Sequence, residues 1–169
     1  MVKWIEECSL EIWLKALKKI DSNALSLSPK ITDNLFSSMQ FVDDEISIYK
    51  RHKAYTLNQE IDNQVRQIAW ASIYYLSPRV LRIRGLFVLE GFRQQRNMSH
   101  LLWEIIRLYS GCADNILSFS TPSGIEFHEN FGFEKVDGFI PRPVERYDYK
   151  TRKYSCDTNE FIQLYKLKI

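Results

Sequence analysis

Two stretches of this sequence combine residue types and spacings that can do chemistry. Residues 88–106, VLEGFRQQRNMSHLLWEII, pass from an apolar run through a polar loop into an apolar helical repeat. A strand, loop and helix in that order present the first turn of the helix, with its unpaired N–H groups and positive dipole end, to an anion. Phosphate binds there without special side chains. Arg93 and Arg96 flank that start and can add charge-assisted contacts. Residues 121–136, TPSGIEFHENFGFEKV, read as an amphipathic helix that breaks at Gly132 and continues directly into a strand. This helix carries His128, a side chain able to donate a proton near neutral pH.

Those stretches need elements to position them. Residues 2–7 read as a short strand, and Ser9 can cap a helix with Leu10, Trp13, Leu14, Leu17 and Ile20 on one face. A weaker helix uses Ile31, Leu35, Phe36 and Met39, and Ile46, Ile48 and Tyr55 sit in weakly alternating runs. Residues 58–63 read as a polar turn. Residues 65–76 and 80–90, rich in β-branched and aromatic residues and split by Ser77-Pro78, predict an antiparallel hairpin. Met98, Leu101, Leu102, Ile105 and Ile106 then predict a helix to about Tyr109, ended by Gly111. Residues 115–120 are a strand, Thr121-Pro122 opens the second helix stretch, and residues 133–136 are a strand. A long polar segment, 142–160, precedes a last strand at 161–169. With no repeat and no long linker, residues 1–169 read as a single domain. Its class is α/β, a mixed and mostly antiparallel sheet flanked by helices.

At this point the sequence resembles the GCN5-related N-acetyltransferases (GNATs), which move an acetyl group from acetyl-coenzyme A to an amine. The family loop, Gln/Arg-x-x-Gly-x-Gly/Ala, is followed by two leucines in the helix. Here the loop is Gln94-Gln95-Arg96-Asn97-Met98-Ser99, with Leu102 and Trp103 at the leucine positions. Asn97 and Ser99 then replace the small residues, and asparagine is a common substitute where a positive φ is wanted. A register starting at Arg93 puts Arg96 and Met98 at the small positions and Asn97 on the apolar face, so the later register is preferred. A second signature, Asn-x-x-Ala-x-x-Phe-Tyr-x-x-x-Gly-Phe, is met by Thr121, Gly124, Phe127, His128, Gly132 and Phe133.

The resemblance implies a sheet splayed in the middle, with the coenzyme in a V between the strand ending near Glu90 and the strand at 115–120. The pantetheine arm would pair with the backbone of Val88, Leu89 and Glu90. The pyrophosphate would lie on amides from Gln95 through Arg96, Asn97, Met98 and Ser99 to His100, with Gln94, Thr121 and Phe127 as further coenzyme contacts. The Leu89 or Glu90 amide would hold the oxyanion of a directly attacked acetyl group. A typical amine is protonated at pH 7, so attack needs a base. Glu90 is the candidate, set against a plain solvated carboxylate. The leaving thiolate needs a proton or a strong hydrogen bond, and His128 stands where the family usually has tyrosine, set against a half-buried histidine with no chemical role. His100 after the loop reads either as a phosphate contact or as a surface residue.

Composition bounds the alternatives. The 169 residues are 45% hydrophobic and 26% charged, as in ordinary globular proteins. No run approaches the roughly 18 apolar residues of a membrane span. The net charge of +2 does not argue for nucleic acid as the main partner. Arg142, Arg146, Lys150, Arg152 and Lys153, interleaved with three tyrosines, are diluted by Glu145, Asp148 and Asp157. That segment reads as a solvated loop whose length hints at a role beside the acceptor. The odd, scattered cysteines Cys8, Cys112 and Cys156 fit reduced thiols in a cytoplasmic protein and no metal site. Trp13, Trp70 and Trp103 read as core. The leading expectation is an acetyl-coenzyme A-dependent N-acetyltransferase of unstated amine acceptor, with a homodimer left open. The competitors are a non-catalytic member of the same fold that binds coenzyme or a protein, and a small RNA-binding domain of similar strand order.

Overall fold

The structure, a computed structural model, describes residues 2–9, 12, 13, 16, 53–148 and 153–169. The expected helix at Ile31 to Met39 and the runs at Ile46 and Ile48 lie outside them, as do Leu10, Leu14, Leu17 and Ile20. The described residues fall into two compact units, residues 2–16 with 53–116 and Ile169, and residues 117–168.

The first unit is built on four antiparallel strands, β1 (Lys3–Cys8), β2 (Lys53–Ile61), β3 (Gln64–Ser77) and β4 (Val80–Val88), ordered as numbered. The β2–β3 loop is Asp62-Asn63 alone, with φ of 52° and 58°, the backbone that matches strand twist in a two-residue hairpin. The polar turn expected over 58–63 is therefore wrong for its first four residues. The ladder runs on to Ile61 opposite Gln64, because paired backbone groups outweigh the poor strand propensity of asparagine and glutamine. The predicted β3–β4 hairpin is present, turning at Pro78 and at Arg79 with φ 65°. One β4 residue is bulged out near Gly85, which has φ 52° and lies under the Trp13 ring. Trp13 donates from Nε1 to the Gly85 carbonyl at 3.3 Å.

Helix α1 (Asn97–Tyr109) packs on β2, β3 and β4 through Leu101, Leu102 and Ile105, all fully buried. Tyr109 fixes its far end through a 3.1 Å hydroxyl contact with Tyr55. Trp13 and Trp70 are core as expected, but Trp103 is 60% exposed. It lies on the outer side of α1, two residues out of step with Leu101 and Ile105.

In the second unit the rest of β5 (Asn115–Ser120) neighbours β8 (Lys153–Lys168), and β8 pairs antiparallel with β6 (Glu134–Lys135) and with β7 (Arg142–Asp148). Between β5 and β6, a 3-10 turn at Pro122–Gly124 leads into α2 (Ile125–Phe131), closed by Gly132 at φ 108°. The polar loop expected over 142–160 is instead β7 and the first part of β8, with Arg146 opposite Ser155 and Asp148 opposite Lys153. No apolar alternation marks these strands, so their backbone pairing had no pattern to announce it. The architecture is the expected class, a mixed and mostly antiparallel sheet flanked by helices.

Candidate functional site

The end of β4 is held tightly. Val88 is buried, and its carbonyl accepts from Arg93 Nε at 3.2 Å. The Leu89 amide donates to the Ile68 carbonyl at 2.9 Å. A 3-10 turn at Glu90–Phe92 follows, in which the Glu90 carbonyl accepts from the Arg93 amide and the Glu90 side chain is exposed. Arg93 thus braces the strand end and is less free to flank an anion.

The loop then passes through two left-handed residues, Gln94 at φ 60° and Arg96 at φ 56°. Arg96 is the residue immediately before α1, and its carbonyl accepts from the His100 amide at 2.9 Å. The amides of Asn97, Met98 and Ser99 have no partner inside the helix, as helix geometry requires. Gln94, Gln95 and Arg96 are exposed, while Met98, Ser99 and His100 are half-buried.

Asn97 does not take the positive φ expected of it. It is 1% exposed on the inner side of α1, donates from Nδ2 to the Phe92 carbonyl at 2.7 Å, and accepts at Oδ1 from Lys3 Nζ at 2.6 Å. The left-handed positions of the loop are Gln94 and Arg96, and Arg96 is the residue that the register beginning at Arg93 puts at the first small position. Sequence reasoning rejected that register because it placed a polar residue on the apolar face. Asn97 tolerates the position because both ends of its amide are bonded, and Lys3 was not foreseen as its partner.

In the second unit, His128 is 7% exposed. Its Nδ1 donates to the Gly124 carbonyl at 2.7 Å, which leaves Nε2 to accept from the Ser118 hydroxyl, also at 2.7 Å. The ring lies 5.0 Å from Phe133 and 5.3 Å from Tyr165, centre to centre. Burial lowers its pKa below the ordinary value, although the bond to Gly124 works the other way. His128 is therefore neutral at pH 7 with both nitrogens engaged. Gly124 makes room for this, since a Cβ there would stand 2.8 Å from Ser120 Oγ and 3.6 Å from His128 Nδ1. Ser118 was missed. The readable signal was a serine in step with buried Ile116 along NILSFS. Thr121 and Phe127 are half-buried; Thr121 Oγ1 meets Ser123 Oγ at 3.0 Å and Phe127 packs edge-on to His128.

No family model matches this sequence, and no curated protein matches it. Solved structures do. The ribosomal-protein-S18-alanine N-acetyltransferase of Escherichia coli superposes with a TM-score of 0.63 at 16% identity, covering 99% of this chain and 94% of its own. A GNAT-family acetyltransferase from Elizabethkingia anophelis with acetyl-CoA bound gives 0.56 at 13% identity, covering 99% and 98%. The fold is that of the GNAT acetyltransferases. A third GNAT-fold likeness, IAA acetyltransferase from Bacillus cereus, gives 0.58 at 13% identity over 99% of this chain and 100% of that one. Among the described residues, no group of three or more His, Cys, Asp or Glu side chains is placed to hold a metal ion. None of their helices is long and apolar enough to cross a membrane.

Proposed function

We propose that this GNAT-fold protein is an N-acetyltransferase that moves an acetyl group from acetyl-coenzyme A to a primary amine by direct attack in a ternary complex. The observation that carries the reading is the start of α1. Three helix amides without a partner inside the helix follow two left-handed residues, neither of them glycine, which supports reading this turn as an anion cradle.

In this reading the amides from Gln95 to Ser99 hold the pyrophosphate, the His100 amide being engaged by the Arg96 carbonyl, and the backbone of Val88 and Leu89 pairs with the pantetheine arm, with Gln94, Thr121 and Phe127 as further contacts. The Leu89 amide is already bonded to Ile68, so the oxyanion falls to the Glu90 amide. The exposed Glu90 carboxylate takes the proton from the amine, directly or through water. The new N–C bond forms as the C–S bond breaks, and the thiolate leaves. His128 serves that thiolate by orienting the Ser118 hydroxyl, whose hydrogen bond turns from Nε2 to the sulfur. A neutral, buried ring supports this role better than direct proton donation.

One observation favours a second reading, a coenzyme-binding protein without catalysis: both His128 nitrogens are engaged inside the fold. The first experiment is a thermal shift with millimolar acetyl-, propionyl- and longer acyl-coenzymes A. Ligand at a hundredfold excess over Kd should raise the melting temperature by about 5 °C or more. No rise with any of them overturns both readings. Thiol release with a panel of amines then separates enzyme from binder.

A further inference from the structure

We infer that Asn97 and Lys3 are positioning residues of the proposed coenzyme site. Asn97 holds the turn from Phe92 to Asn97 in the shape that presents the α1 amides. Lys3, on β1, fixes the orientation of the Asn97 amide. The role rests on the proposed acetyltransferase reading and adds the side chains that decide how tightly the diphosphate is held.

The turn needs such a device. Gln94 and Arg96 are both left-handed, at φ 60° and 56°. That backbone is costly for a residue with a Cβ and persists only where surrounding contacts over-determine it. Among the described residues, one hydrogen bond of this turn spans both left-handed positions. It runs from Asn97 Nδ2 to the Phe92 carbonyl at 2.7 Å. Arg93 reaches back from Nε to Val88 and from its amide to Glu90, both before Gln94. The contact from Gln95 Nε2 to the Gly91 carbonyl, 3.4 Å long and exposed, spans Gln94 alone. The Asn97 bond therefore closes the turn directly ahead of the amides that have no partner inside the helix.

Lys3 decides which way that amide faces. An asparagine side chain has a donor at one end and an acceptor at the other, so it can be turned over. Asn97 is 1% exposed, and an end left unpaired there would be costly. The Lys3 ammonium group only donates, and at 2.6 Å from Oδ1 it leaves Nδ2 for Phe92. Turning the amide over would set its NH2 against the ammonium group and its oxygen against a carbonyl. Lys3 lies opposite Gln59 on the outer strand of the four, so the turn beyond β4 is set from across the sheet.

The charge of Lys3 points the same way. Among the described residues no carboxylate meets it, and its hydrogen-bond partner is the neutral Asn97. A cation beside the first residue of a helix opposes the positive end of the dipole. An anion on the same amides reverses that sign, since it attracts both the dipole and the ammonium group. The charge of Lys3 therefore favours the liganded state over the unliganded one.

The test measures dissociation constants of the whole protein by NMR titration, with each variant held well below its melting temperature. The ligands are acetyl-coenzyme A and S-acetylpantetheine, which keeps the thioester arm and lacks the diphosphate. Asn97→Leu keeps the bulk of the side chain on a buried helix face, and Lys3→Met keeps the stem without the charge. Each should weaken acetyl-coenzyme A binding roughly tenfold, while S-acetylpantetheine binds all three proteins alike, however weakly. A purely structural role would lower the melting temperature and leave the affinity of the folded protein unchanged. Two results overturn the inference: wild-type affinity for acetyl-coenzyme A in either folded variant, or equal weakening of both ligands. Lys3 is half-buried on the outer strand, so Lys3→Met decides the matter if Asn97→Leu does not fold. Unaltered variants beside a wild type that binds acetyl-coenzyme A sink this inference alone. A wild type that binds none sinks the acetyltransferase reading together with it.

Discussion

The stretch from Gly85 to Ser99 and the surroundings of His128 are built on opposite principles. In the first, the distinctive features are backbone: a bulge at Gly85, left-handed Gln94 and Arg96, and helix amides that side chains do not supply. In the second, one side chain organises everything, with Gly124, Ser118, Phe133 and Tyr165 arranged around a single ring. A backbone device tolerates many side chains, which is how the left-handed positions of this loop dispense with glycine. A side-chain device tolerates very few.

Breaking each device should show that contrast. The largest effect is expected at Gly85, the one place in the backbone-built region where a side chain cannot be admitted. A Cβ there would come within 2.4 Å of buried Trp13, at a φ of 52°. Gly85→Ala should destabilise the protein by about 3 kcal/mol in denaturant titration. His128→Phe comes next. It leaves the Gly124 carbonyl and the Ser118 hydroxyl without their partner, and about 2 kcal/mol should be lost.

The same histidine predicts a pH effect. Its folded pKa lies below its unfolded value, so between the two the unfolded chain binds more protons. Its stabilising contribution is complete above the ordinary histidine pKa and is lost as pH falls through that value toward the folded one. The melting temperature should drop on acidification from neutral, and the drop should be smaller in His128→Phe. Smallest is the effect of Arg96→Gly, which should stabilise by about 0.5–1 kcal/mol by relieving a left-handed arginine. It should also leave the acetyl-coenzyme A thermal shift unchanged. A loss of that shift would mean that the arginine side chain, and not the backbone, holds the diphosphate, and the contrast would collapse.

Much of this was legible in the chain. The β3–β4 hairpin, α1, β5 and the Gly132 break stand close to where periodicity and punctuation put them, because each buries one face of a regular repeat. The β7–β8 pairing was not legible, since a ladder of backbone hydrogen bonds needs no apolar alternation to exist. The positive φ expected of Asn97 failed for a related reason. Asn97 looks misplaced on a buried helix face until Lys3 and the Phe92 carbonyl come to its two ends, and the lysine is 94 residues distant in sequence.

By itself, then, the order of residues determined most of the elements, their class and the resemblance to an acetyltransferase fold. Only the tertiary structure decided that Gln94 and Arg96 are the left-handed positions, that both His128 nitrogens are engaged inside the fold, and that Lys3 meets Asn97. Local patterns report what a residue prefers along the chain, whereas charge state and hydrogen-bond partnership are set by neighbours that only folding brings within reach.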